Sequence, residues 1–208
     1  MTDLQALLLL WAVHMLAVMS PGQSFLLVSR TALSAGRGAA FASAAGMAAG
    51  VAPWAIAAML GLALLFAQAQ WLYALIKIVG GAYLIYLAIM VWRHAPEPIA
   101  VAPQQASART ALMPAFRDAF LTQITNPKVG VFFGSIFVTV LPPEAPLWLN
   151  AAIFALVFFN ELVWYALVAV LFSSGGPRTA YLRLKPWVDR AMAGLLALIG
   201  ARLIIDHR

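Results

Sequence analysis

Residues 4–28 read LQALLLLWAVHMLAVMSPGQSFLLV, an almost wholly apolar run that is interrupted once, by Ser20-Pro21-Gly22-Gln23. About 20 apolar residues suffice for a helix to cross the hydrocarbon core of a bilayer. Proline lacks a backbone N–H and its ring clashes with the preceding turn, so a helix bends or opens there. The run therefore predicts a membrane-spanning helix that is broken partway along. No Lys or Arg precedes it, so we expect a retained span and not a secretory signal.

The composition of the chain indicates that lipid is its solvent. Hydrophobic residues make up 64% of the 208 residues and charged residues 10%, whereas charged residues are about a quarter of a typical soluble protein. Further apolar blocks predict an all-α integral membrane protein with six transmembrane helices. The five later spans are expected at Ala39–Ala67, Trp71–Trp92, Ala119–Leu141, Trp148–Phe172 and Val188–Ile205.

The positions of the cationic residues predict the orientation, because Lys and Arg in short loops are retained on the cytoplasmic side. The amino-terminal tail, the turn at Gln68 and the loop at Pro142 contain no Lys or Arg, so both termini are expected outside. The net charge of +6 is then a topology signal and does not indicate a nucleic-acid partner. The nine cations predicted inside are Arg30, Arg37, Arg93, Arg109, Arg117, Arg178, Arg183, Lys185 and Arg190.

The six spans divide into two similar halves. We expect a first three-helix repeat at 1–92, a cytoplasmic linker at 93–116 and a second repeat at 117–208, all in one membrane domain. Lys77 and Arg190 each stand four residues before a glycine at the start of a third span, and the first span of each half contains a proline, Pro21 or Pro127. Because three is odd, the second repeat is inserted upside down, which predicts the inverted repeats found in many secondary transporters.

The two interrupted spans are the candidate solute path. A broken helix in lipid leaves carbonyl groups that are tolerated only where protein buries them or a watery cavity reaches them, and paired interruptions point to a transport site. A simple packing kink is the alternative for each proline. The residues assigned to the path on this basis are Ser20, Pro21, Gly22, Gln23, Asn126, Pro127 and Lys128.

Charged residues inside the apolar blocks are further candidates, since each costs roughly 2.5–3.5 kcal/mol at the bilayer centre on insertion scales. Lys128 and Glu161, which follows Asn160, are both expected near mid-depth. An ion pair between them either serves transport or only fastens two spans together. Lys77 lies nearer the outer end and can extend its ammonium to the interface.

His14 lies well inside the first block. With an ordinary pKa of about 6.5, histidine is suited to proton transfer, although a lone helical histidine is more often only hydrogen-bonded. We include it in the candidate proton pathway.

Span two carries small residues at every fourth position, Gly38, Ala42, Gly46 and Gly50. Such a stripe lets two membrane helices approach closely. The partner helix lies either in the same monomer or in another subunit, so the stripe leaves a homo-oligomer open.

Three motifs give the chain a resemblance to the LysE/RhtB family of bacterial amino-acid exporters. They are Ser20-Pro21-Gly22-Gln23, Gly36-Arg37-Gly38 and Asn126-Pro127-Lys128, in that order along nearly the whole chain. The resemblance implies export of amino acids of the lysine, threonine/homoserine or leucine type across the bacterial inner membrane, driven by protons. Gln23 stands where the family has its second proline. This difference softens the first break, and we expect it to alter the substrate selectivity.

Other function classes have less support in the sequence. The Gly-rich phosphate loop of ATP-driven pumps is absent, cysteine is absent, and His14, Glu161 and Lys128 make a poor catalytic group. We therefore expect neither an enzyme nor a cofactor, and expect lipid, a small amino-acid-like solute and protons as partners. A membrane scaffold, or a transporter of another small solute such as a metal ion, is the alternative.

The predicted topology can be tested with single cysteines, because the chain has none of its own. Cysteines at positions 69 and 145 should react with a membrane-impermeant maleimide in intact cells, and those at positions 108 and 179 only after lysis. The opposite pattern would invert the orientation. Labelling of positions 69 and 108 from the same side would show that the third span does not cross.

Overall fold

A computed structural model describes residues 3–20, 22–68, 70–97, 112–140 and 145–205. Within these ranges the chain forms eight α-helices and its regular structure is entirely helical. The helices are α1 (Asp3–Met19), α2 (Gln23–Ser34), α3 (Arg37–Gln68), α4 (Gln70–His94), α5 (Leu112–Ile124), α6 (Pro127–Val140), α7 (Leu147–Phe172) and α8 (Gly175–Ile205).

The first and fourth predicted spans each consist of two helices. The axes of α1 and α2 differ in direction by 59°, and two residues separate the end of α5 from the start of α6. Asn126 is a good N-terminal cap and proline is favoured at the first helical position. Accordingly the Asn126 side-chain oxygen accepts a hydrogen bond from the Lys128 backbone N–H at 3.0 Å. Local sequence therefore ends one helix and starts another here.

Length and composition identify some of the helices as membrane spans. Among the described residues, segments Arg37–Leu60 and Leu147–Phe172 are long and apolar enough to cross a bilayer, and α1 with α2 makes a third span if the bent pair counts as one. The all-helical membrane class is confirmed at this level, while the count of six spans stays a prediction.

Two predicted boundaries differ from the observed ones. α8 begins at Gly175, well before the expected start at Val188, and continues through Pro186. α5 begins at Leu112, inside the predicted linker. Both extensions contain charged residues, so a boundary drawn from hydrophobicity alone starts each helix too late.

α3 lies at the centre of the helical packing. It contacts α2, α5, α6 and α7, while α4 packs mainly along α8. Buried side chains such as Phe25, Met47, Phe133 and Ile153 fill the interior. Large apolar side chains including Leu8 remain exposed on the outside, as expected of helices whose outer faces meet lipid.

The glycine stripe of α3 packs inside the monomer. A Cβ atom on Gly46 would overlap the Phe116 carbonyl oxygen of α5, and one on Gly50 would lie 2.8 Å from the Phe120 carbonyl oxygen. α4 and α8 cross equally closely, since a Cβ on Gly200 would lie 2.6 Å from the Gly81 carbonyl oxygen. The close packing of α3 on α5 and of α4 on α8 therefore requires glycine at these contacts.

This contact predicts the effect of adding one methyl group to α8. Gly200→Ala forces α8 away from α4, and we expect a loss of about 1–3 kcal/mol, the usual cost of overpacking. Gly194→Ala is the matched control on the same helix, because a Cβ there meets no atom within 4 Å and alanine favours helix. Thermal unfolding of the detergent-purified variants measures the difference. Equal melting temperatures for the two variants would show that the α4/α8 crossing is looser than described.

Candidate functional site

The two helix breaks lie against each other. A broken helix leaves its last carbonyl groups without intrahelical donors, and in lipid these need partners. The Lys128 ammonium, at the start of α6, donates a hydrogen bond to the Ser20 carbonyl oxygen after α1 at 3.1 Å. The lysine of the second break thus satisfies a carbonyl group exposed by the first.

A side chain of the first break likewise donates a hydrogen bond to a carbonyl group at the second break. The Gln23 side-chain amide donates to the Thr122 carbonyl oxygen at 3.3 Å, in the last turn of α5. The Trp54 indole N–H of α3 donates to the Ile124 carbonyl oxygen at 3.1 Å. Gln23 therefore has a structural part to play as a donor, which a proline at this position could not supply.

A chain of buried polar side chains links the breaks further. The Ser24 hydroxyl donates to the Gln123 side-chain oxygen at 2.6 Å, and the Asn126 amide donates to the Ser24 hydroxyl oxygen at 3.1 Å. All three residues are buried. Because each polar group has a partner, the network fixes α2 against the junction of α5 and α6.

The predicted ion pair between Lys128 and Glu161 does not form. Among the described residues, the basic side chain beside Glu161 is His14, whose Nε2 lies 3.8 Å from Oε1, a contact that becomes an ion pair only when the imidazole is protonated. The other ring nitrogen of His14, Nδ1, lies 3.3 Å from the Asn160 amide nitrogen. The long Lys128 side chain reaches the free Ser20 carbonyl instead, because the break supplies a strong acceptor at that depth.

These residues surround an inner cavity with about 30 Å³ of room for water-sized molecules. His14, Lys128 and Glu161 line it, and two buried polar atoms, Ser20 Oγ and Glu161 Oε2, have no hydrogen-bond partner. A buried water needs at least about 10–15 Å³ by the same measure. The inner cavity therefore has space for a water or two beside groups that seek partners, and is too small for an amino acid in this conformation.

A larger outer cavity of about 320 Å³ adjoins the inner one. Both are lined by Ser20, Gly22, Asn126 and Lys128. On its far side the outer cavity is lined by Lys185 and Asp189 of α8 and by residues of the last turns of α4. Lys128 therefore stands between the two cavities.

Lys185 and Asp189 form a buried ion pair with 2.9 Å between Nζ and Oδ2. The Lys185 ammonium also donates to the carbonyl oxygens of His94, Ala95 and Glu97 at 3.0, 3.2 and 2.9 Å. Those carbonyls belong to the last residue of α4 and to residues just after it, so Lys185 of α8 caps the end of α4.

The structure gathers most of the predicted site residues. His14, Ser20, Gly22, Lys128 and Glu161 line the inner cavity together with Asn126. Gln23 and Pro127 line the outer cavity, and Asn160 contacts His14. Pro21 and the Lys77 side chain lie outside the described residues.

Sequence reasoning missed Ser24, Gln123, Tyr165 and Asp189, although all four line a cavity. Ser24 and Gln123 are polar residues within one turn of a predicted break, which could have marked them. Asp189 follows Lys185 by four residues, a helical ion-pair spacing. In the part of the chain that is described, no three His, Cys, Asp or Glu side chains are grouped to hold a metal ion.

Comparison with known proteins finds a family model and individual relatives that match most of the chain. The family model described as LysE type translocator matches residues 15–207. The chain is 37% identical to the threonine efflux protein of Escherichia coli (strain K12), over 94% of this chain and 95% of that protein. It is 35% identical to the threonine efflux protein of Salmonella typhi over the same shares. It is 27% identical to the homoserine/homoserine lactone efflux protein of Salmonella typhimurium, over 89% of each chain.

No solved structure matches the chain. The family match spans both helix breaks and the helices around them. The resemblance seen in the motifs is thereby confirmed, and the chain belongs to the LysE type translocator family of membrane transport proteins, which are not enzymes.

Proposed function

We propose that this protein exports a small neutral amino acid, threonine or a close derivative, from the bacterial cytoplasm across the inner membrane by proton antiport. The observation that carries the proposal is that an amino group and a carboxyl group line one cavity. Lys128 lies at the junction of the two breaks and Glu161 lies on α7, and both line the inner cavity. When ionised, two groups so placed complement the carboxylate and the ammonium of a zwitterion.

The polar groups around the inner cavity suit the rest of such a solute. The free Glu161 Oε2 accepts from an ammonium, while Lys128 donates to a carboxylate. Ser20 Oγ is also unpartnered and can bond a side-chain hydroxyl. The hydroxyl amino acids named in two relatives, threonine and homoserine, have these groups.

The proposed architecture is six spans in two inverted repeats, with the linker at 93–116 inside and both termini outside. Its support is the reciprocal capping of the breaks, in which Lys128 reaches the Ser20 carbonyl and Gln23 reaches the Thr122 carbonyl. Interrupted helices from two repeats meet at the site in many secondary transporters.

Opening the inner cavity requires the Lys128 bond to change. The cavity has about 30 Å³ of free room, so the solute enters only when the breaks separate. When the solute carboxylate accepts a hydrogen bond from the Lys128 ammonium in place of the Ser20 carbonyl, that carbonyl accepts from water or from the solute. Binding and opening are then coupled through one hydrogen bond.

Glu161 and His14 are the proposed proton carriers. They are buried and 3.8 Å apart, and together they can hold and release a proton as a pair. One charge moved through 100 mV releases about 2.3 kcal/mol, which supports a solute gradient of about fiftyfold. Proton antiport therefore needs no nucleotide.

The proposed function predicts a change in intracellular amino-acid pools. Cells that lack the gene and are fed threonine-containing dipeptides should accumulate threonine inside, and the restored gene should lower the pool. A panel of other dipeptides fed in parallel identifies the preferred solute. If deletion and overexpression leave all intracellular pools unchanged, the export function is wrong.

A second prediction concerns coupling. Glu161→Gln keeps the shape of the side chain and an oxygen that can accept from the solute ammonium, but it cannot bind or release a proton. We therefore expect loss of uphill L-threonine transport in vesicles with an imposed pH gradient, and retention of solute exchange with a raised KM. Glu97→Gln, at an exposed position after α4, is the matched control and should behave as wild type. Undiminished uphill transport by Glu161→Gln would exclude this carboxylate from coupling. Complete loss of exchange as well would show that the carboxylate is indispensable for binding or folding, and would leave coupling without support from this variant.

A further inference from the structure

The outer cavity has the dimensions of a binding site in its own right. Its volume of about 320 Å³ lies in the range of small-molecule pockets, about 300–1,000 Å³, whereas the inner cavity has about 30 Å³. A solute of amino-acid size therefore fits the outer cavity before the inner cavity opens.

Asp189 lines this cavity and has one carboxylate oxygen without a partner. The residue is 2% exposed, its Oδ2 pairs with Lys185, and its Oδ1 is buried without a hydrogen-bond partner. A buried acceptor left unpaired is costly. A ligand that brings a donor relieves that cost.

Lys185 cannot supply the missing donor. An ammonium has three N–H donors, and the Lys185 ammonium already faces Asp189 Oδ2 and three carbonyl oxygens around the end of α4. Four acceptors thus compete for three donors, and nothing remains for Asp189 Oδ1.

Lys128 presents a cation to the same cavity. Its ammonium also has three donors, of which the Ser20 carbonyl takes one within the described part of the chain. Asp189 and Lys128 therefore line one cavity with an unsatisfied acceptor on the first and spare donors on the second.

We propose that Asp189 and Lys128 form an entry subsite for a zwitterionic amino acid, in which Asp189 Oδ1 accepts from the ammonium and Lys128 donates to the carboxylate. The proposal rests on the proposed function and on its orientation, which puts this cavity on the cytoplasmic side. Lys128 lines both cavities, so the solute carboxylate stays on Lys128 during transfer. Its ammonium moves from Asp189 to Glu161.

This transfer explains why each of the two cavities that share Lys128 also has a carboxylate, Asp189 or Glu161. The solute carboxylate stays paired with Lys128 throughout, and only the solute ammonium changes its partner. A purely structural Asp189, which only holds Lys185 against the end of α4, would show no preference for one face of the membrane.

The test compares the two faces with L-threonine as the probe. Inside-out and right-side-out membrane vesicles that contain wild type, Asp189→Asn, Asp189→Glu or Asp118→Asn are assayed for L-threonine exchange at each face. Asp118 is the matched control, an exposed acid of α5 that pairs with the neighbouring Arg117. Loss of a charge-assisted hydrogen bond predicts that Asp189→Asn raises KM at the cytoplasmic face about tenfold to a hundredfold. KM at the opposite face, away from the cytoplasm, should change little. Asp189→Glu should raise KM at the cytoplasmic face less than Asp189→Asn does.

The outcomes separate the entry subsite from the function on which it rests. If wild type exchanges no L-threonine in either orientation, the proposed substrate is wrong. If wild type exchanges it and Asp189→Asn leaves both KM values unchanged, the entry subsite alone is wrong. An equal rise in KM at both faces also overturns it, since that result assigns Asp189 to the central site or to folding.

A measurement on wild type keeps the proposal testable if the Asp189 variants do not fold. Competitors that lack the ammonium (2,3-dihydroxybutanoate) or the carboxylate (L-threonine amide) should compete poorly with L-threonine at the cytoplasmic face. Competition by either compound as strong as that of L-threonine would overturn the paired recognition.

Discussion

A helix that breaks in apolar surroundings leaves its last carbonyl groups in need of donors, and here the Ser20 carbonyl finds the Lys128 ammonium at 3.1 Å. The rest of the site follows from this bond. It places a cation at the junction of α1, α2, α5 and α6, holds the inner cavity nearly closed, and ties the two halves of the chain together. Gln23 and Trp54 satisfy carbonyl groups of α5 in the same way, so protein donors reach carbonyl groups at both breaks.

Close packing of the helices supplies the frame for this junction. Gly46 and Gly50 bring α3 against the backbone of α5, and Gly81 and Gly200 bring α4 against α8. In lipid such contacts replace the hydrophobic drive that folds soluble proteins. The Lys185 ammonium, which caps the end of α4 from α8, adds a polar fastening at one end of that pair.

The features that the sequence predicted are local ones. Asn126-Pro127 is a helix-start signal made by two adjacent residues. The small residues of α3 recur at a fixed spacing. Both features can therefore be recognised from the sequence alone. The partners of Lys128, Glu161 and Lys185 could not, because each depends on how distant helices are rotated against one another. Lys128 pairs with a backbone carbonyl and Glu161 with His14, although charge alone suggested that the two would pair together. The sequence indicates Lys185 only as a topology signal. Its three acceptors are backbone carbonyl oxygens, which every residue has and which no sequence pattern can single out.

The meeting point of the two breaks is the proposed solute site. An experimental density map of the purified protein with L-threonine bound tests it most directly. We predict solute density between the breaks, with the carboxylate within hydrogen-bond distance of the Lys128 ammonium and the ammonium facing Glu161 or Asp189. Ordered solute elsewhere, such as the separate cavity between α2 and α5 lined by Arg30 and Asp118, with the Lys128 to Ser20 bond unchanged, would contradict it.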